Sequence, residues 1–516
     1  MSAAAARSRS RASLINLGVS FGVQIVNWVL VFVARMVFIK ILGVEVLGIN
    51  AILESILIAL SLADLGFGTA VSYSLYKPLA ERDHAALRSL LAFYRTVYRR
   101  LALTIAVAGM VLLPFLPYVI TTTQPLSTII VYYLIMLAAT SASYLFSYKI
   151  TIIAADQQQY IVKLYEAIGT MVRVGLQIMA LLLWHSYIAW LMIYLLSVVA
   201  VNMALVRVVY RRYPFLRQAD TATLSKTRRR EIMNDVKSLF LYRVSGVVIN
   251  TSDNIIGSVM AGVVAVGLYA NYGMVVGTVN SFIQSLLSVL TPSVGHLTLQ
   301  ANTARQYEVF RTMLFATSWL VGMVAVSMIL VLQAVITLWL GASVLLSWWV
   351  GVVIILNFYF QATAAPLWSF RDGAGVFSSI RFVGIYMAIA NVILSVVFGL
   401  WWGIGGVLLA TLVARLSTVY WMEPRLLYKQ LFTAWPTWHY FARRLAYAGT
   451  SLTGLGISWY LSKLITLPGV LGVIVTILLA CGIVSGLFAL VFWRSAEMMQ
   501  CRRLVSKVIK SDERYA

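Results

Sequence analysis

Charged residues are scarce in this sequence, and acidic ones are the scarcest. Asp and Glu number 17 against 40 Lys and Arg, and charged residues of all kinds make up 11% of the 516 positions. A protein that folds in water carries roughly 25% charged residues, because its surface must be hydrated. Hydrophobic residues make up 61% of the chain, and the mean hydropathy is +0.88. The scarcity of charge therefore excludes a water-soluble domain and indicates an integral membrane protein.

Cysteine and histidine are also too few to build a site. The two cysteines, Cys481 and Cys501, cannot form a disulfide framework and match no metal-ligand spacing. The four histidines are scattered along the chain. We therefore expect neither a metal site nor a cofactor. The net charge of +23 does not indicate a nucleic-acid partner, because the positive charge lies in short bursts between apolar runs rather than on a polar basic face.

Long apolar runs dominate what is present. A spanning helix needs about 20 mostly apolar residues, and the chain offers fourteen such stretches. The first follows a basic N-terminal arm and is too long for a cleavable signal peptide, so we interpret it as an uncleaved span. The predicted spans are 14–38, 47–71, 101–120, 126–148, 160–183, 187–209, 239–260, 264–290, 309–332, 345–368, 376–400, 403–421, 445–465 and 470–493.

The distribution of Lys and Arg predicts the orientation of these spans. With the N-terminus inside, the inner segments and span edges hold 33 of the 40 basic residues, whereas the outer loops hold Lys40 and Lys463. Cytoplasmic loops of membrane proteins carry such an excess of positive charge. We therefore expect both termini to be cytoplasmic. The outer loops are short, which argues against a membrane enzyme that polymerises or ligates glycans, and we identify no catalytic residue.

A weak internal repeat divides the chain. Gly43-Val-Glu-Val-Leu-Gly48 corresponds in position to Gly262-Val-Val-Ala-Val-Gly267 in a second half. Internal repeats of this kind are common in secondary transporters. We predict an N-lobe (1–210), a basic cytoplasmic linker (211–237), a C-lobe (238–424), two further spans (425–493) and a basic cytoplasmic tail (494–516).

Charged residues inside the spans are the functional candidates, because an ionisable group at bilayer depth normally faces a cavity or a partner. Several lie on polar stripes at helical spacing, such as Asn50 with Glu54, and Glu166 with Arg173 and Gln177. Snorkelling to a membrane surface and structural ion pairing are the alternatives. The arginine candidates are Arg35, Arg173, Arg243, Arg381 and Arg415, and the acidic candidates are Glu54, Asp64, Glu166 and Asp253.

An interior that bears arginine suits an anionic substrate. The guanidinium group binds phosphate oxygens in a bidentate manner and keeps its charge at physiological pH. An exporter of organic cations would instead present a net acidic cavity. The balance of charge therefore favours a phosphate-bearing cargo.

Two stretches resemble polysaccharide transporters of the multidrug/oligosaccharidyl-lipid/polysaccharide exporter (MOP) superfamily. One runs from Asp64 to Pro78 (DLGFGTAVSYSLYKP), and the other comprises Asn250–Gly257 (NTSDNIIG) and Val266–Tyr272 (VGLYANY). The resemblance implies an all-α polytopic membrane protein of about 14 spans. Two six-helix lobes would form a V around a central cavity, with two further C-terminal helices.

The resemblance also implies a function. The family flips an undecaprenyl-diphosphate-linked oligosaccharide from the inner to the outer leaflet of the bacterial cytoplasmic membrane by alternating access. The five arginines would hold the diphosphate and sugar acids, and the four acidic residues would take up a coupling H+ or Na+. The expected partners are membrane lipid, the lipid-linked substrate, and a polysaccharide polymerase or glycosyltransferases. The alternative is a cation-coupled multidrug or metabolite antiporter of the same superfamily.

Overall fold

The computed structural model describes residues 3–61, 67–218, 224–288, 302–374, 381–465 and 467–503. These residues form α-helices joined by short turns, and no β-strand occurs among them. Helices are what an apolar chain must form in a bilayer, because hydrocarbon offers no partner for an unpaired backbone amide or carbonyl. The expected all-α polytopic membrane fold is confirmed.

The chain has two compact units, Met1–Gly267 and Leu268–Ala516. The helices that begin in the first unit are α1 (Ala3–Leu60), α2 (Phe67–Ala80), α3 (His84–Leu112), α4 (Leu116–Val119), α5 (Leu126–Ala155), α6 (Gln159–Trp184), α7 (Tyr187–Arg212) and α8 (Lys226–Ser288). Those of the second unit are α9 (Thr303–Leu340), α10 (Trp348–Ala362), α11 (Ala365–Gly373), α12 (Arg381–Ser417), α13 (Val419–Leu431), α14 (Trp438–Ser462) and α15 (Gly469–Val491).

Nine helical segments within the described ranges are long and apolar enough to cross a membrane. Two of them, Val244–Leu287 and Phe382–Leu431, each cover most of two predicted spans. Predicted spans 1, 2 and 13 lie mainly on α1 and α14. The predicted linker is partly helical, since α8 begins at Lys226. The division into lobes at 211–237 stays a prediction.

Two glycines bend the long helices α1 and α8. Gly43 has φ 82° and ψ 172°, and Gly262 has φ 82° and ψ 164°. Positive φ values strain residues that carry a Cβ, so glycine is the residue of choice at both bends. These two positions correspond in the internal repeat, and in the structure they adopt the same backbone conformation.

The segments of α1 and α8 that follow the two bends pack against each other through equivalent residues. A Cβ atom on Gly48 would overlap the carbonyl oxygen of Val263, and a Cβ atom on Gly267 would overlap that of Val44. Each glycine thus meets the residue that directly follows the bend of the other helix. Such an exchange of equivalent contacts is what a local two-fold relation between two segments produces. Glycine at both positions lets the backbones approach this closely.

The loop between predicted spans 3 and 4 is tied to the first bend by Glu45. The Glu45 carboxylate accepts hydrogen bonds from the Thr122 hydroxyl (2.6 Å), the Thr123 amide (3.0 Å) and the Thr123 hydroxyl (3.1 Å). These bonds, chiefly the one from Thr122, lower the pKa of the Glu45 carboxyl. The carboxylate is therefore ionised at neutral pH and holds the loop against α1.

The reciprocal glycine contact predicts the effect of adding one methyl group. We expect Gly48→Ala to lower the free energy of unfolding by about 1–3 kcal/mol, because the new Cβ meets a backbone carbonyl that cannot rotate away. The measurement is thermal or denaturant unfolding of the purified protein in detergent. Gly246→Ala on α8 is the matched control, since no atom lies within 4 Å of its added Cβ. Equal stability of the two variants would contradict the contact.

Candidate functional site

A polar cavity of about 190 Å³ lies within the first unit, between α1, α5, α6 and α7. Its walls are apolar except for a group of polar and aromatic side chains that converge on it. The residues lining the cavity are Val31, Ala34, Arg35, Phe38, Leu47, Asn50, Glu54, Met136, Arg173, Val174, Gln177, Trp190, Leu191 and Tyr194.

The bend at Gly43 brings Arg35 and Glu54 to the same cavity. A straight α-helix would place these residues roughly 28 Å apart, at about 1.5 Å per residue. Instead, Arg35 lines the cavity from the segment of α1 before the bend, and Asn50 and Glu54 line it from the segment after the bend. Asn50 and Glu54 are one helical turn apart, so they share a face. The bend at one glycine thus brings the α1 residues Arg35, Asn50 and Glu54 together at the cavity.

A chain of hydrogen bonds orients Glu54. The Tyr187 hydroxyl donates to Asn50 Oδ1 over 2.7 Å, and Asn50 Nδ2 donates to Glu54 Oε1 over 3.1 Å. The Tyr187 ring is held edge-on against Tyr132 (4.6 Å between centroids) and Phe38 (5.7 Å). The carboxylate is therefore positioned by an aromatic cluster through a single asparagine.

Arg173 enters the cavity from α6. Its guanidinium carbon lies 5.5 Å from the centre of the Tyr194 ring on α7, a cation–π distance. One turn further along α6, buried Gln177 donates to the carbonyl oxygen of Trp190 over 3.0 Å. These two contacts fix α6 against α7 and set the direction of the arginine side chain.

The charges of the cavity do not balance. Glu54 lies within electrostatic range of both Arg35 and Arg173, so one carboxylate faces two guanidinium groups. Arg35 Nη1 is buried and has no hydrogen-bond partner within the described part of the chain. A buried N–H group without an acceptor costs about 1–3 kcal/mol. The cavity therefore has a net positive charge and at least one donor available to an anion.

The other acidic candidates lie elsewhere. Glu166 is exposed on α6 and does not line this cavity. Asp253 is buried on α8, where the neighbouring Asn254 donates to the Ser55 hydroxyl over 2.9 Å. Asp64 lies outside the described residues.

The remaining arginine candidates are not joined to the cavity by the described contacts. Arg415, in the second unit, donates to the carbonyl oxygen of Asn357 over 2.7 Å and to Gln361 Oε1 over 3.4 Å, so it holds α12 against α10. Arg243 and Arg381 lie on described helices, but their side chains are outside the described part of the structure. Their roles in binding stay predictions.

The tyrosines that contact the charged and polar residues of the cavity were not predicted from the sequence. Tyr187 and Tyr194 share a face of α7 and meet Asn50 and Arg173 respectively. Their spacing of seven residues is a detectable signal, because it places both on one helix face. It does not reveal which helix that face meets, so the residues could not be assigned to the site from sequence alone.

Two separate sets of ion pairs in the second unit were not predicted from the sequence either. Arg371 Nη1 lies 3.2 Å from Glu423 Oε1, and both side chains are less than one-tenth exposed. Glu497 pairs with Arg443 over 3.3 Å and with Arg311 over 2.5 Å. In the sequence, these arginines indicate only which loops are cytoplasmic. Their carboxylate partners are distant in sequence, and no helical periodicity links them.

The fold and the cavity are those of a polytopic membrane protein. A structure described as "Lipid II flippase MurJ, inward closed conformation" matches with a TM-score of 0.68 at 14% identity, covering 92% of this chain and 98% of that chain. An inward-facing multidrug resistance MATE family transporter of the MOP superfamily matches with a TM-score of 0.62 at 12% identity, covering 78% of this chain and 94% of that chain. At these identities the likeness is one of fold.

Residues 13–298 match the family described as polysaccharide biosynthesis protein. The chain belongs to that family, which confirms the family resemblance found in the sequence. No curated protein sequence matches the chain.

The contrast between paired and unpaired arginines predicts opposite effects on stability. We expect Arg371→Met to lower the free energy of unfolding by about 3–5 kcal/mol, because it leaves Glu423 buried without its partner. Arg35→Met should cause no loss and should stabilise by about 1 kcal/mol, because it removes an unpartnered buried N–H while Arg173 still faces Glu54. Denaturant unfolding in detergent measures both. Equal destabilisation by the two variants would show that Arg35 is a structural residue.

Proposed function

We propose that the chain flips an undecaprenyl-diphosphate-linked oligosaccharide repeat unit from the inner to the outer leaflet, by alternating access, for the export of surface polysaccharide. The observation that carries the proposal is the cavity with two arginines, one carboxylate and an unpartnered Arg35 N–H. Membership of the polysaccharide biosynthesis family supports it. So does the likeness of fold to a lipid II flippase.

Arg35 and Arg173 would bind the substrate through its anionic groups. A diphosphate or a sugar carboxylate offers acceptors to the guanidinium forks, and such charge-assisted bonds are about twice as strong as neutral ones. The cavity is small, so it would hold one anionic group or one sugar ring rather than the whole repeat unit. The prenyl chain would stay in the lipid, because moving its apolar surface from hydrocarbon into a polar cavity is unfavourable.

Glu54 is the proposed coupling residue. It is the carboxylate that lines the cavity, and it faces both arginines that would hold the substrate. Uptake of a proton or Na+ at Glu54 would change the charge of the cavity by one unit, and an anionic substrate would then compete less with the carboxylate. The ion gradient would thereby bias binding on one side of the membrane.

The wider setting is part of the proposal. We expect the protein to work in the bacterial cytoplasmic membrane, with both termini in the cytoplasm. It would work beside the glycosyltransferases that build the repeat unit and the polymerase that consumes it. No chemical step is assigned to it, so neither a catalytic residue nor a cofactor is required.

A cation-coupled drug or metabolite antiporter is the second candidate. The presence of Glu54 in a cavity lined by aromatic residues favours it, because a carboxylate and aromatic rings bind organic cations. The likeness of fold to a MATE transporter is compatible with it. The excess of arginine over carboxylate in the same cavity argues for the anionic substrate.

Removing either cavity arginine should strongly reduce flipping. In proteoliposomes that contain an undecaprenyl-diphosphate-linked sugar, we expect Arg35→Gln and Arg173→Gln to reduce translocation by about 10- to 100-fold. This is the factor that corresponds to losing one charged hydrogen bond of about 1.5–3 kcal/mol. In cells, Arg173→Ala should abolish surface polysaccharide while the protein remains in the membrane.

Arg99→Gln serves as the matched control, since Arg99 is exposed on α3 and does not line the cavity. Arg415→Ala tests the earlier prediction for the second unit; loss of polysaccharide without loss of folded protein would give Arg415 a role beyond holding α12. Efflux of cationic dyes without any translocation of the lipid-linked sugar would establish the antiporter instead.

Neutralising Glu54 should uncouple transport from the ion gradient. We expect Glu54→Gln to flip the lipid-linked sugar at a rate that no longer responds to an imposed H+ or Na+ gradient, because the cavity charge can no longer change. The rate is measured in proteoliposomes with and without each gradient. Glu81→Gln, an exposed change outside the cavity, should keep the dependence. An unchanged gradient response in Glu54→Gln would exclude this residue as the coupling site.

A further inference from the structure

A second cavity, of about 410 Å³, lies in the first unit at the end that bears the loops predicted to be cytoplasmic. It is formed by α3, α5, α7 and the turn Pro214–Arg217 that follows α7. Its volume is within the usual range of ligand pockets. The lining residues are Arg88, Leu91, Ala92, Arg95, Tyr148, Lys149, Tyr210, Leu216, Arg217 and Gln218.

The turn that closes this cavity is held in place from two sides. The Phe215 ring stacks on His84 at the start of α3, with 4.1 Å between ring centroids and 7° between planes. The Tyr213 hydroxyl donates to Asp156 Oδ2 over 2.6 Å. These contacts lie outside the cavity, so its shape is built by the fold and does not depend on the basic residues within it.

Four positive charges converge on the space, and none of the described residues that line it is acidic. Arg88 and Arg95 enter from α3, Lys149 from α5 and Arg217 from the turn. Lys149 lies 4.9 Å from the centre of the Tyr210 ring and 5.6 Å from that of Tyr148, so aromatic faces rather than a carboxylate accompany it. An uncompensated cluster of this kind is destabilising by mutual repulsion unless an anion occupies it.

Arg88 provides a separate reason to expect an anion in this cavity. One of its terminal nitrogens, Nη1, donates to Gln218 Oε1, which fixes the guanidinium plane at the wall of the cavity. Its Nε is buried and has no hydrogen-bond partner among the described residues. A buried N–H group on a fixed guanidinium needs an acceptor. The other charged side chains that line the cavity, Arg95, Lys149 and Arg217, are donors only.

We propose that this cavity binds a phosphate group, distinct from the substrate site at Arg35 and Arg173. Phosphate oxygens accept from guanidinium forks and from an ammonium at once, so one phosphate group could bind several of these four side chains together. Two sources share this chemistry: the headgroup of an anionic phospholipid, which basic pockets at the cytoplasmic side of a membrane bind, and a soluble phosphate or diphosphate.

The test measures binding of two probes to the purified full-length protein in a neutral detergent. One probe is phosphatidylglycerol, with phosphatidylcholine as the uncharged comparison, and the other is inorganic pyrophosphate. The readouts are the number of retained lipids by native mass spectrometry and the ligand-dependent shift in unfolding temperature. We expect saturable binding of one equivalent, which Arg88→Gln/Arg95→Gln weakens by about 30-fold.

Arg99→Gln/Arg100→Gln is the matched control, because it removes the same charge from exposed positions of the same helix. If the Arg88→Gln/Arg95→Gln variant does not fold, Lys149→Gln/Arg217→Gln removes two positive charges from the other walls of the cavity and should weaken binding in the same way. Binding of phosphatidylglycerol that pyrophosphate does not displace assigns the site to lipid, and the reverse assigns it to a soluble phosphate. Equal weakening by the control, or no saturable binding of either probe, would overturn the site whether or not the protein is a flippase.

Discussion

The bilayer interior cannot hydrate a polar group, and the rest of this structure depends on that constraint. The backbone meets it by forming long helices whose amides and carbonyls pair internally. Buried side chains meet it with partners, as Arg371 does with Glu423 and Arg444 does with the carbonyl oxygen of Thr363. Two guanidinium nitrogens, Arg35 Nη1 and Arg88 Nε, have no hydrogen-bond partner among the described residues, and each of these arginines lines a cavity. At these two arginines, the combination of an unsatisfied donor, a positive charge and a cavity indicates an anionic ligand.

The second organising feature is the use of glycine to turn and cross helices. The bend at Gly43 lets a single helical stretch supply both Arg35 and Glu54 to one cavity. The close approach at Gly48 and Gly267 then locks the segment after the bend against α8. The same device thus builds the charged site and the helix packing that supports it. Both the cavity and the packing of α1 against α8 depend on the α1 backbone. A substitution at one of these glycines would therefore alter the geometry of the cavity although it changes no charged residue.

How far the site could be predicted from sequence is clearest from individual residues. Arg35, Glu54 and Arg173 were predicted as candidates because a charge in an apolar span is conspicuous. That they share one cavity could not be predicted, since helical periodicity gives the face of each helix but not its neighbour. Tyr187 and Tyr194 were not identified, because a tyrosine in a membrane span is unremarkable until its partner is known. Glu166 was predicted on the same face of α6 as Arg173 and Gln177, yet it does not line the cavity that they line.

The sequence by itself determined the membrane class, the helical fold and the pairing of Gly43 with Gly262, because hydropathy, helical periodicity and a repeated motif are local properties. It also predicted more arginine than carboxylate among the charged residues within the spans. Only the tertiary structure decided which arginines have hydrogen-bond partners. Arg371 pairs with a carboxylate and Arg415 donates to a backbone carbonyl, whereas Arg35 Nη1 has no acceptor within the described residues. The reason is physical, since the partner of a buried charge is chosen by helix packing between residues far apart in sequence, which no local pattern encodes.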